Sequence, residues 1–149
     1  MHRSHLLRVG RISLPGHLYH VTFVTRDRVP LLESFDSARE VVRTLMGLDR
    51  RSHCLTWTYV VMPDHVHWLF QLGGSLSLSG LVALAKSRSS HYLRRHGLKG
   101  PVWQRGFMDR LIRARENPVA VARYIVLNPL RAGLVARLGD YPHWDARWL

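Results

Sequence analysis

Four short segments of alternating or β-branched apolar residues, three longer segments of helical spacing and their order along the chain predict an α+β fold. The order is strand, helix, strand, strand, helix, strand, helix. It begins as a βαββαβ unit, an antiparallel sheet with two helices on one face, and ends with a further C-terminal helix. At 149 residues the chain has the size of one domain. It is read as a single domain over 1–149, with a basic arm at 1–14 and a tail at 132–149 in which no element is placed.

The first strand, 17–25, puts Tyr19, Val21 and Phe23 on one side and Leu18, His20, Thr22 and Val24 on the other. The first helix, 37–51, brings Ala38, Val41, Val42, Leu45 and Leu48 onto one stripe, with Asp36 or Ser37 as its cap. Two strands at 54–62 and 65–72 are joined by a tight turn at Pro63-Asp64. A second helix over 77–96 carries the stripe Leu78, Leu81, Val82, Ala85, Tyr92 and Leu93 and stops at Gly97. A fourth strand is centred on 107–112. Asn117 as cap and Pro118 at the first helical position open the third helix, which Pro129 should stop near Asn128.

Lys plus Arg number 22 against 10 Asp plus Glu, a formal net charge of +12, and Lys86 and Lys99 are the only lysines among them. Such an excess gathers polyanions, and arginine offers a fork for phosphate and a flat face for stacking on bases. The single cysteine, Cys54, sits in an apolar run, which excludes an internal disulfide and points to a reducing compartment. The first ten residues have no apolar core of a signal peptide, and no segment reaches the ~18 unbroken apolar residues of a membrane span. The expected location is cytoplasmic, with no membrane partner.

In the third strand, residues two apart share a face, so Val66, Trp68 and Phe70 point to the helices while His65, His67, Leu69 and Gln71 point to the open side. Two imidazoles about 7 Å apart at the backbone can converge on one ion. Tyr124 and Asn128, four residues apart in the third helix, share a helical face and present a phenol and an amide oxygen to the same centre. Two neutral histidines and an amide leave a divalent charge uncompensated and positions open for phosphate oxygens, which suits Mg²⁺ or Mn²⁺, the latter being the better match to imidazole.

Met62-Pro-Asp-His-Val-His-Trp-Leu69, Val102-Trp-Gln-Arg-Gly-Phe107 with Asp109 and Arg110, and Ala122-Arg-Tyr-Ile-Val-Leu-Asn-Pro-Leu-Arg-Ala-Gly133 together resemble the REP-associated tyrosine transposases, relatives of the single-tyrosine HUH transposases of bacterial insertion sequences. The resemblance spans roughly 11–144. It implies a ferredoxin-like HUH endonuclease fold, His65, His67 and Asn128 as metal ligands, Tyr124 as nucleophile, and a substrate of imperfect palindromes that form hairpins beside a single-stranded guide tetranucleotide. Larger relatives usually carry Gln at the position of Asn128, and Met108 stands where an aromatic or His is expected.

The activity expected is metal-dependent cleavage and joining of single-stranded, hairpin-bearing DNA through a 5′-phosphotyrosine. No small-molecule cofactor is expected, and the protein is expected to act as a monomer or homodimer. Candidate DNA contacts are Arg3, Arg8, Arg11, Arg26, Arg28, Lys86, Arg94, Arg95, Arg105 and Arg131, with Trp103 and Gln104 placed to stack on or read an unpaired base. The alternative is a non-catalytic single-strand-binding module, which would expose aromatics on the open sheet face. A small-molecule hydrolase is a third reading, for which the charge and the tyrosine would be coincidences.

Overall fold

The computed structural model describes residues 13–147. Arg3, Arg8 and Arg11 lie outside them. The elements are β1 (Leu18–Val24), α1 (Phe35–Arg50), β2 (Cys54–Val61), β3 (His65–Leu72), α2 (Leu78–Arg95), β4 (Met108–Leu111), α3 (Pro118–Val126), α4 (Asn128–Arg131) and β5 (Trp144–Ala146). The sheet runs β4-β1-β3-β2-β5 and every pairing is antiparallel. The predicted α+β fold with two helices on one face and a tyrosine-bearing C-terminal helix is therefore present. No helix among the described residues is long and apolar enough to cross a membrane.

Each face of the sheet has its own core. Tyr19, Val21 and Phe23 of β1 and Val66, Trp68, Phe70 and Leu72 of β3 pack under Val41, Leu45 and Leu48 of α1 and Leu81, Val82 and Ala85 of α2. Trp68 is fully buried, and its indole N–H is satisfied by Thr56 Oγ1 at 3.0 Å. The opposite face joins Val60, Met62 and Leu69 to Ile112, Ala122 and Ile125, so α3 lies on the side away from α1 and α2. A β-bulge makes this possible. The register of β2 on β3 slips between Thr56 and Thr58, which reverses the alternation and turns Val60 toward α3 while Tyr59 and Val61 stay on the helix side.

Three expectations change. Helix α1 starts earlier than its apolar stripe, because Ser34 rather than Asp36 or Ser37 is the cap, its Oγ accepting from Ser37 N at 3.2 Å. Tyr92, assigned to the α2 stripe, is exposed, since the stripe drifts past the edge of the sheet over an 18-residue helix. The tail is not all loop. Residues 144–146 form β5 on the free edge of β2, and Tyr141 Oη donates to the Val61 carbonyl at 2.5 Å. Three residues paired to an edge leave no alternation for a sequence to show.

Candidate functional site

Strand alternation puts His65 and His67 side by side on the face that α3 covers, with ring centroids 4.9 Å apart and planes nearly perpendicular. Each ring is held by Nδ1. His65 Nδ1 donates to Asp64 Oδ1 at 2.6 Å, and Asp64 Oδ2 in turn meets the Arg28 guanidinium at 3.4 Å. His67 Nδ1 lies 3.0 Å from His20 Nε2 and 3.1 Å from Thr22 Oγ1, because Thr22 is its cross-strand partner in β1. Partners on both Nδ1 atoms leave both Nε2 lone pairs to a ligand, the arrangement in which carboxylates and neighbours orient metal-binding imidazoles.

The surroundings keep His67 neutral. Burial, followed by the charges of His65, His20, Arg131 and Arg28, brings its pKa down to about 3. Burial and then Arg110 bring His20 down to about 4. At Asp64, burial acts upward, but the hydrogen bond and charge of His65 and the charge of Arg28 outweigh it and hold the carboxyl below its ordinary value. Neutral imidazoles are what a metal needs, since a proton and an ion compete for the same lone pair.

Helix α3 is assembled as its sequence suggests. Asn117 Oδ1 accepts from Val119 N at 3.0 Å, Pro118 occupies the first turn, and Ala122 and Ile125 are fully buried against Leu69 and its neighbours. The helix breaks at Leu127 and resumes as α4, so the expected stop near Asn128 is a break with a second short helix after it. Pro129 has no N–H to offer the Ile125 carbonyl, and Asn128 Nδ2 takes that acceptor at 2.7 Å. With its nitrogen committed, Asn128 presents Oδ1, the atom a hard cation prefers. Among the described residues no group of three or more His, Cys, Asp and Glu side chains could hold a metal.

Tyr124 is 63% exposed on the outer side of α3. The Arg131 guanidinium stacks over its ring, 4.0 Å from the centroid, and donates to its carbonyl at 2.6 Å. The charge of Arg131 is also among those that lower the His67 pKa.

Residues 102–104 run beside the end of β1. Trp103 bridges to Thr25, Arg26 N donates to the Val102 carbonyl and Gln104 N to the Val24 carbonyl, each at 2.9 Å. This collects Arg26, Arg28, Gln104 and Arg105 at the end of the sheet where Asp64 leads into β3 at His65, with the three arginines exposed. Trp103 itself is packed into the helix-side core, edge-on to Phe23 and hydrogen-bonded to Ser89 Oγ at 3.0 Å, so no face of it is open to a base. Lys86 is likewise turned inward, its ammonium donating to the carbonyls of Gln104 and Gly106. Arg94 and Arg95 are exposed on α2, on the other face of the sheet. Asp64, His20 and Thr22 were absent from the predicted site, although the first adjoins His65 in sequence and the second shares its face of the sheet, which α3 covers and which is not the open side expected.

Residues 13–127 match the family described as IS200-like transposases. The chain belongs to the IS200-like transposase family. This transposase is 26% identical over 144 residues to a putative REP-associated tyrosine transposase of Haemophilus influenzae, covering 86% of the chain and 78% of that relative. Its fold is that of a REP-associated tyrosine transposase solved bound to a REP hairpin, with TM-score 0.74 and 24% identity over 90% of this chain and 79% of the other. A putative transposase of Deinococcus radiodurans shares the fold at TM-score 0.57 and 19% identity, over 78% of this chain and 93% of that one.

Proposed function

We propose that this IS200-like transposase cleaves and rejoins single-stranded DNA beside hairpin-forming palindromes, with Tyr124 as the nucleophile. The observation that carries the reading is the pair of Nδ1-anchored imidazoles on the sheet face over which the tyrosine helix packs. Attack of Tyr124 Oη on the scissile phosphorus forms the 5′-phosphotyrosine bond as the phenol proton passes to solvent, and breaks the bond to the 3′ oxygen, which takes a proton from solvent and leaves as a 3′-hydroxyl. Reversal of the same step by a 3′-hydroxyl rejoins the strand, so no nucleotide cofactor is consumed.

His65 and His67, through Nε2, and Asn128, through Oδ1, would hold Mg²⁺ or Mn²⁺. Such an ion polarises a phosphate and neutralises charge developing on its oxygens, which a phenol of ordinary pKa about 10 requires. Asp64, His20 and Thr22 fix the two rings. Arg26, Arg28 and Arg105 offer exposed cations to the backbone at the His65 end of the sheet. The hairpin as substrate is supported by the solved relative with its REP hairpin. The binding-module reading needs exposed aromatics on the histidine face, whereas Trp68 and Phe70 are buried on the other.

The test is Mn²⁺-dependent cleavage of an end-labelled hairpin with a single-stranded flank. The native protein should release a cut strand and retain a covalent adduct. Tyr124→Phe should lose cleavage and keep hairpin affinity, because it removes one oxygen and no positive charge. Cleavage retained by purified Tyr124→Phe would end the proposal.

A further inference from the structure

We propose that Arg131 is a positioning residue for the reacting tyrosine, a clamp that holds the Tyr124 ring and main chain in one arrangement before DNA arrives. The proposal rests on Tyr124 as nucleophile and goes beyond the phosphate contact that charge alone suggests for Arg131. A tyrosine 63% exposed on a helix surface ordinarily exchanges rotamers, and an attacking oxygen that wanders loses most of the benefit of being held near a phosphate. Here the guanidinium plane lies 4.0 Å over the ring, within the range of cation–π attraction, while one of its nitrogens donates to the carbonyl of Tyr124 at 2.6 Å. Gripping both ring and backbone takes a flat, multiply donating group. Lysine, a point charge on a flexible stem, cannot do both.

The chain between the two residues is built to hold that distance. Pro129 is buried and breaks the helix, Asn128 Nδ2 closes the Ile125 carbonyl across the break at 2.7 Å, and Arg131 N reaches back to the Leu127 carbonyl at 3.0 Å. The helical course resumes after Leu127, so Arg131, seven residues and about two turns beyond Tyr124, stands on the same face and its side chain reaches back over the ring. No carboxylate pairs with Arg131 among the described residues, so nothing competes with the ring for its plane and its charge stays available to a phosphate brought to the tyrosine.

The experiment places 3-fluorotyrosine at position 124 of the full chain and compares Arg131, Arg131→Lys and Arg131→Met by ¹⁹F NMR without DNA and by single-turnover cleavage at saturating hairpin. With Arg131 the fluorine resonance should be displaced from that of the free amino acid. In Arg131→Met it should move to the free value and narrow, and Arg131→Lys should resemble Arg131→Met. The cleavage rate at saturation should fall about tenfold to a hundredfold in both variants. Hairpin affinity should stay nearly unchanged in Arg131→Lys, which keeps the charge. A resonance indifferent to both substitutions overturns the clamp. So does a loss of affinity with an unchanged rate at saturation, which would make Arg131 an ordinary phosphate contact. If the native protein bound the hairpin and cut nothing, the nucleophile reading would fail while the fluorine signal still decided whether the clamp exists.

Discussion

His65 and His67 each spend Nδ1 on a neighbour, so the metal-binding reading through Nε2 depends on Asp64, His20 and Thr22 as well as on the histidines. His65→Ala and His67→Ala should each abolish Mn²⁺ binding by the DNA-free protein, measured by EPR titration, because three protein ligands leave none to spare. Asn128→Ala should weaken it less, since water can replace an amide oxygen. Asp64→Asn keeps an acceptor for His65 Nδ1 and loses the charge, and affinity should fall about 10- to 100-fold. Unchanged Mn²⁺ affinity in Asp64→Asn would show that the carboxylate does not orient the ring. The two half-buried imidazoles also set an acid limit. The folded protein holds His20 at about 4 and His67 at about 3, against an ordinary 6.5, so between these values the unfolded chain binds more protons. Their contribution is present above about 6.5 and is lost as pH falls toward those folded values. The urea midpoint should drop between pH 7 and pH 5, and His20→Gln, which does not titrate, should drop less. Equal losses in both proteins would contradict burial of a neutral His20.

Helix α3 carries the tyrosine but owes its position to residues that do no chemistry. Its cap is Asn117, and Asn117→Ala should cost about 1 kcal/mol by urea unfolding. Ile125, fully buried over Leu69, holds the helix to the histidine face, and Ile125→Ala should cost about 2–5 kcal/mol. A cost near zero would mean that α3 is not packed on that face. The cap and the proline of α3 were legible in sequence because both act locally. The cap of α1 was missed by two or three residues because Ser34, Asp36 and Ser37 are all competent, and only the backbone turn at Ser34 decides among them. The bulge at Thr56 to Thr58 left no signal, since β-branched and aromatic residues occupy both faces of β2 and hide the change of parity.

Across the whole molecule the sheet divides stability from chemistry. One face packs α1 and α2 over the large aromatic core; the other carries the histidines, α3 and the tyrosine. The chain carries a net charge of +12, and DNA affinity should fall steeply with salt, each phosphate contact adding about −0.7 to −0.9 to the slope of log affinity against log salt. A slope of several units is expected by fluorescence anisotropy between low and physiological salt. A flat dependence would remove the backbone-contact reading of the arginines. Trp103→Phe, by contrast, should lower stability with little effect on affinity, because it loses the bond to Ser89 and exposes nothing.

The period of two in β1 and β3 and the helical spacing of α1 to α3 are properties of consecutive residues, so the α+β order, the shared face of His65 and His67 and the shared helix of Tyr124 and Asn128 could be read from the chain alone. Which basic and aromatic residues meet the solvent could not. Trp103 and Lys86 read as DNA contacts because their types suit the task, and they turned out to serve packing because the 102–106 segment folds back on Val24 and α2. His20 and Thr22 reach His67 only through a strand pairing that joins residues 45 and more positions apart. Local periodicity is written in the order of residues, whereas partners brought together by register, by a bulge or by a segment folding back exist only once the chain has folded.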